Sequence, residues 1–140
     1  MTMRQIAELV SHQTPLTLAP SVTVKRACEC MRERQVGAVL VTDKDNHLLG
    51  IFTGRDAVCR VLADNRSPGQ TRLADVMTSD PDTIPPGKTA IEALRLMQDG
   101  GYRHLPVVQD GRVVGIISRG DFRGLEQARI DEETGLWERV

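Results

Sequence analysis

Gly50-Ile51-Phe52-Thr53-Gly54-Arg55-Asp56 returns later in the chain as Gly115-Ile116-Ile117-Ser118-Arg119-Gly120-Asp121. The echo extends upstream. Setting Pro15 to Gln35 against Pro81 to Gly101 matches Pro15 with Pro81, Thr17 with Thr83, Pro20 with Pro86, Thr23 with Thr89, Ala27 with Ala93 and Met31 with Met97. A lead-in recurs too, Ile6-Ala7-Glu8-Leu9-Val10 resembling Leu73-Ala74-Asp75-Val76-Met77. Between the copies, residues 63–72 are polar, contain Ser67-Pro68-Gly69, and read as a linker. Two copies are too few for a solenoid and point to a pseudo-symmetric pair.

Each copy predicts the same elements. An extended piece, Leu16 to Leu18 or Asp82 to Ile84, is kept out of helix by its prolines. A helix follows. Thr89 and Glu92 have capping-box spacing, and Thr23 is the matching cap without the acid. Val24, Ala27, Cys28 and Met31 fall at helical spacing, repeated by Ala90, Ala93, Leu94 and Met97. Strands are expected over Ala38 to Thr42 and Leu105 to Val108, with returns over Leu48 to Thr53 and Val113 to Ser118. Asp110-Gly111 between the later pair is a hairpin signal, because glycine tolerates positive φ. A second helix begins near Asp56 and Asp121. The fold class is therefore mixed α+β or α/β: two β-α-β-β-α repeats, too small to bury much surface alone, with their sheets expected to pack together.

Composition narrows the function. The chain has 140 residues, with 18 basic against 19 acidic side chains. This balance argues against binding nucleic acid or anionic lipid by bulk charge. Aromatic residues are 3% of the chain, namely Phe52, Tyr102, Phe122 and Trp137, too few for a base-stacking platform. No apolar run approaches the roughly 20 residues that span a bilayer. The first ten residues lack a signal-peptide layout. Cys28, Cys30 and Cys59 form no disulfide-domain spacing and read as reduced thiols of a cytoplasmic protein. Cys28 and Cys30 face different ways on a helix, so they cannot share a metal, and Cys28 belongs to the core face. His12, His47 and His104 lie in separate segments without zinc-type pairing.

The strand ending Gly-Ile-apolar-Thr/Ser-x-x-Asp, preceded in the second copy by Arg103-His104-Leu105-Pro106-Val107-Val108, resembles the cystathionine-β-synthase (CBS) domain. Two copies resemble a CBS pair, or Bateman module, over nearly the whole chain. The repeats are placed at residues 6–62 and 73–125, with the linker at 63–72 and a tail at 126–140. The resemblance implies a stand-alone regulatory module that binds adenine nucleotides in two clefts between the repeats, dimerises, and passes a signal to an unidentified protein partner. AMP, ADP and ATP are the expected ligands, with an NAD-type ligand as a further candidate.

The residues suggest how. A hydroxyl and backbone N–H groups at a helix start attract phosphate, and a carboxylate one turn in accepts two hydrogen bonds from a ribose diol. Thr53, Arg55 and Asp56, and Ser118, Arg119 and Asp121, offer that set. The same spacing also finishes a helix by capping. The resemblance matches the hydroxyl to a phosphate contact and the Asp to a ribose contact. Thr17 and Thr83 face the nucleotide by the same resemblance, and otherwise are ordinary strand residues. Tyr102, Arg103 and His104 add phosphate donors, or else form a solvated loop. The first copy has Val36-Gly37-Ala38 there, with neither base, so the two sites are unequal. With aromatics scarce, adenine would lie against aliphatic side chains such as Val36, Ile84, Leu105 and Pro106, which are otherwise core. No nucleophile or metal cluster accompanies His104, so no enzyme activity is expected. The alternative is a ligand-free scaffold working through oligomer contacts, to which Trp137 in the tail would contribute as an interface anchor; a nucleotide-acting enzyme ranks below both.

Overall fold

In the computed structural model, which describes residues 4–122, the order is α1 (Ile6–Val10), β1 (Thr17–Leu18), α2 (Val24–Arg34), β2 (Ala38–Thr42), β3 (Leu48–Thr53), a single turn α3 (Gly54–Asp56) and a π-helical segment (Ala57–Leu62). Then follow α4 (Leu73–Val76), β4 (Thr78–Ser79), α5 (Ala90–Gly100), β5 (His104–Gln109), β6 (Arg112–Ser118) and a 3-10 turn (Arg119–Asp121). Trp137 and the tail lie outside the described residues.

The chain forms two compact units that do not coincide with contiguous repeats. One contains residues 14–82 and 110–113; the other takes 4–13, 83–109 and 114–122 of the described chain. The first unit has a four-stranded sheet in the order β1-β2-β3-β4. β1 runs parallel to β2, with Thr17 opposite Leu40. β2 and β3 are antiparallel, pairing Ala38 with Thr53 and Leu40 with Ile51. Its core joins Val24, Ala27 and Met31 of α2 to Val39, Val41 and Phe52 of the sheet and to Leu73 and Val76 of α4. The lead-in helix of the second repeat thus completes the core of the first.

The other unit reciprocates. Ile6 and Val10 of α1 are buried with Ile84, Ala93, Met97, Leu105, Val107 and Ile117. Its sheet is the β5–β6 pair, with Ile84 bridging in parallel to Val107. Among the described residues, β4 has no strand counterpart here. The side-chain amide of Gln13 takes its place, donating Nε2 to the Ile116 carbonyl at 2.8 Å and accepting the Ile116 N–H at 2.9 Å. Glycine at matched positions permits both close approaches: an added Cβ at Gly50 would lie 2.6 Å from Met77 Sδ, and at Gly115 2.6 Å from Val10 Cβ.

Local chemistry sets the element ends. Thr23 Oγ1 accepts the Arg26 N–H, and Thr89 and Glu92 form the full capping box at the start of α5. The Thr89 backbone N–H, first of all, holds the Glu92 carboxyl below its ordinary range. α2 ends on Gln35 in the left-handed region (φ 54°), where α5 has Gly101 (φ 72°). Cys28 is half-buried and packs against this core, as expected from its spacing, and Cys30 is also buried (7% exposed). Burial raises the Cys28 thiol pKa.

Candidate functional site

Each unit presents a carboxylate at a strand-to-helix turn. In the unit built on the first repeat, β3 ends at Thr53 and Asp56 closes one turn later. Asp56 Oδ2 accepts the Thr53 backbone N–H at 3.0 Å and its hydroxyl at 3.1 Å, while Thr53 Oγ1 accepts the Asp56 N–H at 3.2 Å. The Gly54 N–H goes to the Gly37 carbonyl at 3.1 Å. That bond joins the loop before β2 to the turn after β3, so Val36, Gly37, Ala38, Thr53 and Asp56 become neighbours. Val36 is 40% exposed beside this turn, Arg55 is exposed, and Ala38 is buried in register with Thr53. Thr17 is half-buried on β1.

The matching turn of the other unit is more open. Asp121 Oδ2 accepts the Ser118 N–H at 2.7 Å and its hydroxyl at 3.3 Å. The Arg119 N–H reaches the Arg103 carbonyl at 3.1 Å, repeating the Gly54–Gly37 bond. Ser118, Arg119, Asp121, Arg103 and His104 are thereby brought together. Asp121 and Arg103 are exposed. Burial lowers the His104 pKa below 6.5; the neighbouring Arg103 charge lowers it further and Asp121 opposes both. His104 is therefore mainly neutral at pH 7.

Several expectations change. The turns hold fewer free backbone donors than a regular helix start, because Gly54, Asp56 and Arg119 already spend their N–H groups on Gly37, Thr53 and Arg103. Charged side chains must then supply most of any attraction for phosphate. Of the four aliphatic residues considered as adenine walls, only Val36 is exposed. Ile84 and Leu105 are core residues at 5% and 0% exposure, and Pro106 is buried between Leu105 and Val107 on the covered strand β5. Tyr102 packs partly against the same core, and Thr83 is exposed just before Ile84.

Two residues were missed in the sequence. Arg60 lies one helical turn after Asp56, its Nε 3.6 Å from Asp56 Oδ1; i,i+4 spacing of opposite charges was the available signal. Gln13 sits in a polar stretch with nothing to mark it. Asp43, Asp45 and His47 bring ligand-type atoms within 4.8 Å of one another. Asp43 Oδ1 there accepts the Asp45 and His47 N–H groups at 2.9 Å each, which is how such a side chain closes a tight turn. These bonds, foremost that from the His47 N–H, lower the Asp43 pKa.

The CBS domain matches the sequence twice, over residues 6–62 and 73–126. The chain belongs to the CBS-domain family. This CBS pair is 41% identical over 102 residues, 73% of its length, to the CBS domain-containing protein CBSCBSPB3 of Arabidopsis thaliana, of which the match covers 18%. Matches to the related Arabidopsis proteins likewise cover about a fifth of their length. A CBS-domain protein of Burkholderia ambifaria assigned to signal transduction superposes on the CBS pair with a TM-score of 0.78 at 33% identity, over 84% of this chain and 89% of that one. A CBS domain protein of Pyrobaculum aerophilum, complexed with AMP, has the same fold, with a TM-score of 0.80 at 21% identity over 91% and 98% of the two chains. Among the described residues of the CBS pair, no helix is long and apolar enough to cross a membrane.

Proposed function

We propose that this CBS pair is a regulatory module that binds an adenine nucleotide and relays its presence to a partner protein. The supporting observation is the duplicated turn, in which a carboxylate is oriented by the preceding hydroxyl residue, with Arg103, Arg119 and His104 gathered around one copy. Asp121 would receive the ribose diol. Arg103 and Arg119 would take the phosphate with their forked donors, and Ser118 and His104 would add hydrogen bonds. Val36 would cover part of the base bound at the Thr53–Asp56 turn. Thr17 and Thr83 would read the adenine edge. AMP is the first candidate, because the bound relative carries it; ADP, ATP and NAD share its adenosyl part. The work done is binding, with no catalytic step assigned. Signal transfer would be a population shift, which requires unequal ligand affinity in two states. Homodimerisation in the cytoplasm belongs to the same proposal. The exposed Val58 and Leu62, 56% and 68% accessible one turn apart, favour a second reading as an oligomer scaffold.

A thermal-shift panel of AMP, ADP, ATP, NAD, NADH and S-adenosylmethionine tests this. A ligand at a hundred times its Kd adds about 2.7 kcal/mol to apparent stability. We expect AMP to raise the midpoint and Asp121→Asn to remove most of that rise relative to its own unliganded midpoint. No shift from any compound would overturn the nucleotide reading and leave the scaffold.

A further inference from the structure

The two carboxylates differ in what already occupies them. A carboxylate has about four acceptor positions, two on each oxygen. In both turns, Oδ2 is taken by the backbone N–H and hydroxyl of the residue three before. A vicinal diol brings two O–H donors and so needs what Oδ1 has left. Among the described residues, the hydrogen bonds to the Asp121 carboxylate are those on Oδ2, and the nearby Arg4 guanidinium donates instead to the Asp121 backbone carbonyl at 3.3 Å. Asp56 Oδ1 faces Arg60 Nε at 3.6 Å, and the Asp56 side chain is only 13% exposed. Arg60 is anchored at its far end as well: Nη1 donates to the carbonyls of Val76 at 3.3 Å and Met77 at 3.0 Å, where α4 gives way to β4. The second repeat has Leu125 at the position corresponding to Arg60.

We infer that Arg60 is a latch on Asp56, a positioning residue that makes the first-repeat carboxylate a poor acceptor for a ribose diol while Asp121 remains open to one. The inference rests on the nucleotide reading above. A diol binding Asp56 through both hydroxyls must displace the guanidinium from Oδ1, and the two carbonyl bonds oppose that movement. A ligand with one hydroxyl at that edge fits beside Arg60 without moving it. The latch therefore acts on the diol rather than on nucleotides in general.

Calorimetric titration of the full chain with AMP and with 2′-deoxy-AMP tests this, in an Asp121→Asn background so that the remaining binding reports Asp56. Arg60→Met keeps the aliphatic stem and removes the charge. It should tighten AMP about fivefold, the upper end for releasing a half-exposed ion pair, and leave 2′-deoxy-AMP nearly unchanged. Arg60→Lys can still pair with Asp56 and should remain near the parent. Asp56→Asn should abolish the effect of Arg60→Met. Equal shifts for both nucleotides would reduce Arg60 to a structural residue and overturn the latch, as would an unchanged AMP affinity in Arg60→Met. Failure of the nucleotide reading looks different: the parent chain with Asp121 intact would bind neither nucleotide.

Discussion

His104 carries a sign that can be checked. Burial is the first cause of its lowered pKa, Arg103 the like-charged neighbour, and Asp121 the opposing one. The folded protein therefore binds this proton less well than the unfolded chain. The resulting stability is fully present above the unfolded value near 6.5 and is lost as pH falls from there through the lower folded value. A bound phosphate reverses the preference, since a nearby anion favours imidazolium. Nucleotide binding should then take up a proton, and affinity should rise by up to about tenfold per pH unit as pH drops below neutrality. Titrations from pH 8 to 6 on the wild type and His104→Gln check this. The ligand's own phosphate ionisation is common to both, so their difference isolates His104. Parallel pH profiles would remove His104 from the phosphate site. The unliganded midpoint should meanwhile move the opposite way, falling as the solution is acidified.

At the scale of elements, the ends of α2 and α5 contrast one structural role in two residues. Gln35 and Gly101 both sit at positive φ after their helices. A side chain there meets the following carbonyl, at roughly 1–2 kcal/mol, while glycine avoids the clash but loses more backbone entropy. Gln35→Gly should therefore stabilise the protein by about 0.5–1 kcal/mol, and Gly101→Gln should destabilise it by a similar or larger amount. Urea unfolding midpoints at constant slope measure both. A loss in Gln35→Gly would mean that the Gln35 side chain makes a contact worth more than the strain. Much of the element pattern was legible because it depends on neighbours in sequence. Caps at Thr23 and Thr89, the run Ala38–Thr42 and the turn at Asp110-Gly111 are local signals, and the structure has them. Features set by distant segments were not legible. β4 is a strand because β3 lies beside it, with Gly50 opposite Ser79, and Gln13 completes a sheet edge formed about a hundred residues later. The candidate site divides in the same way. The Thr53–Asp56 and Ser118–Asp121 turns were visible in the repeat, whereas Arg60 depends on where α4 ends, and the burial of Ile84 and Leu105 depends on α1.

For the whole molecule, the exchange of lead-in helices separates the sequence repeat from the packing unit. α1 opens the first repeat yet lies in the core with Ile84, Met97 and Ile117, and α4 opens the second yet lies with Phe52 and Val61. Ile6 and Leu73, at matched positions, are both 0% exposed. Full burial of side chains this size contributes about 1.5–3 kcal/mol each, a large share of the 5–15 kcal/mol that holds a domain together. Two fragments of nearly equal length should then behave differently. Residues 1–66 contain an intact sequence repeat but lack Leu73 and Val76, and carry Ile6 and Val10 without their partners. Residues 14–82 look like a misplaced cut in the sequence, yet contain every residue of the Val24–Phe52–Val76 core and all four strands of that sheet. We expect residues 14–82 to unfold in a cooperative thermal transition by circular dichroism and residues 1–66 to show none. Restoring 67–82 to the latter, as residues 1–82, should bring the transition back. If 1–66 unfolds as cooperatively as 14–82, α4 is dispensable to that core, and the stability of each half resides in its own contiguous repeat.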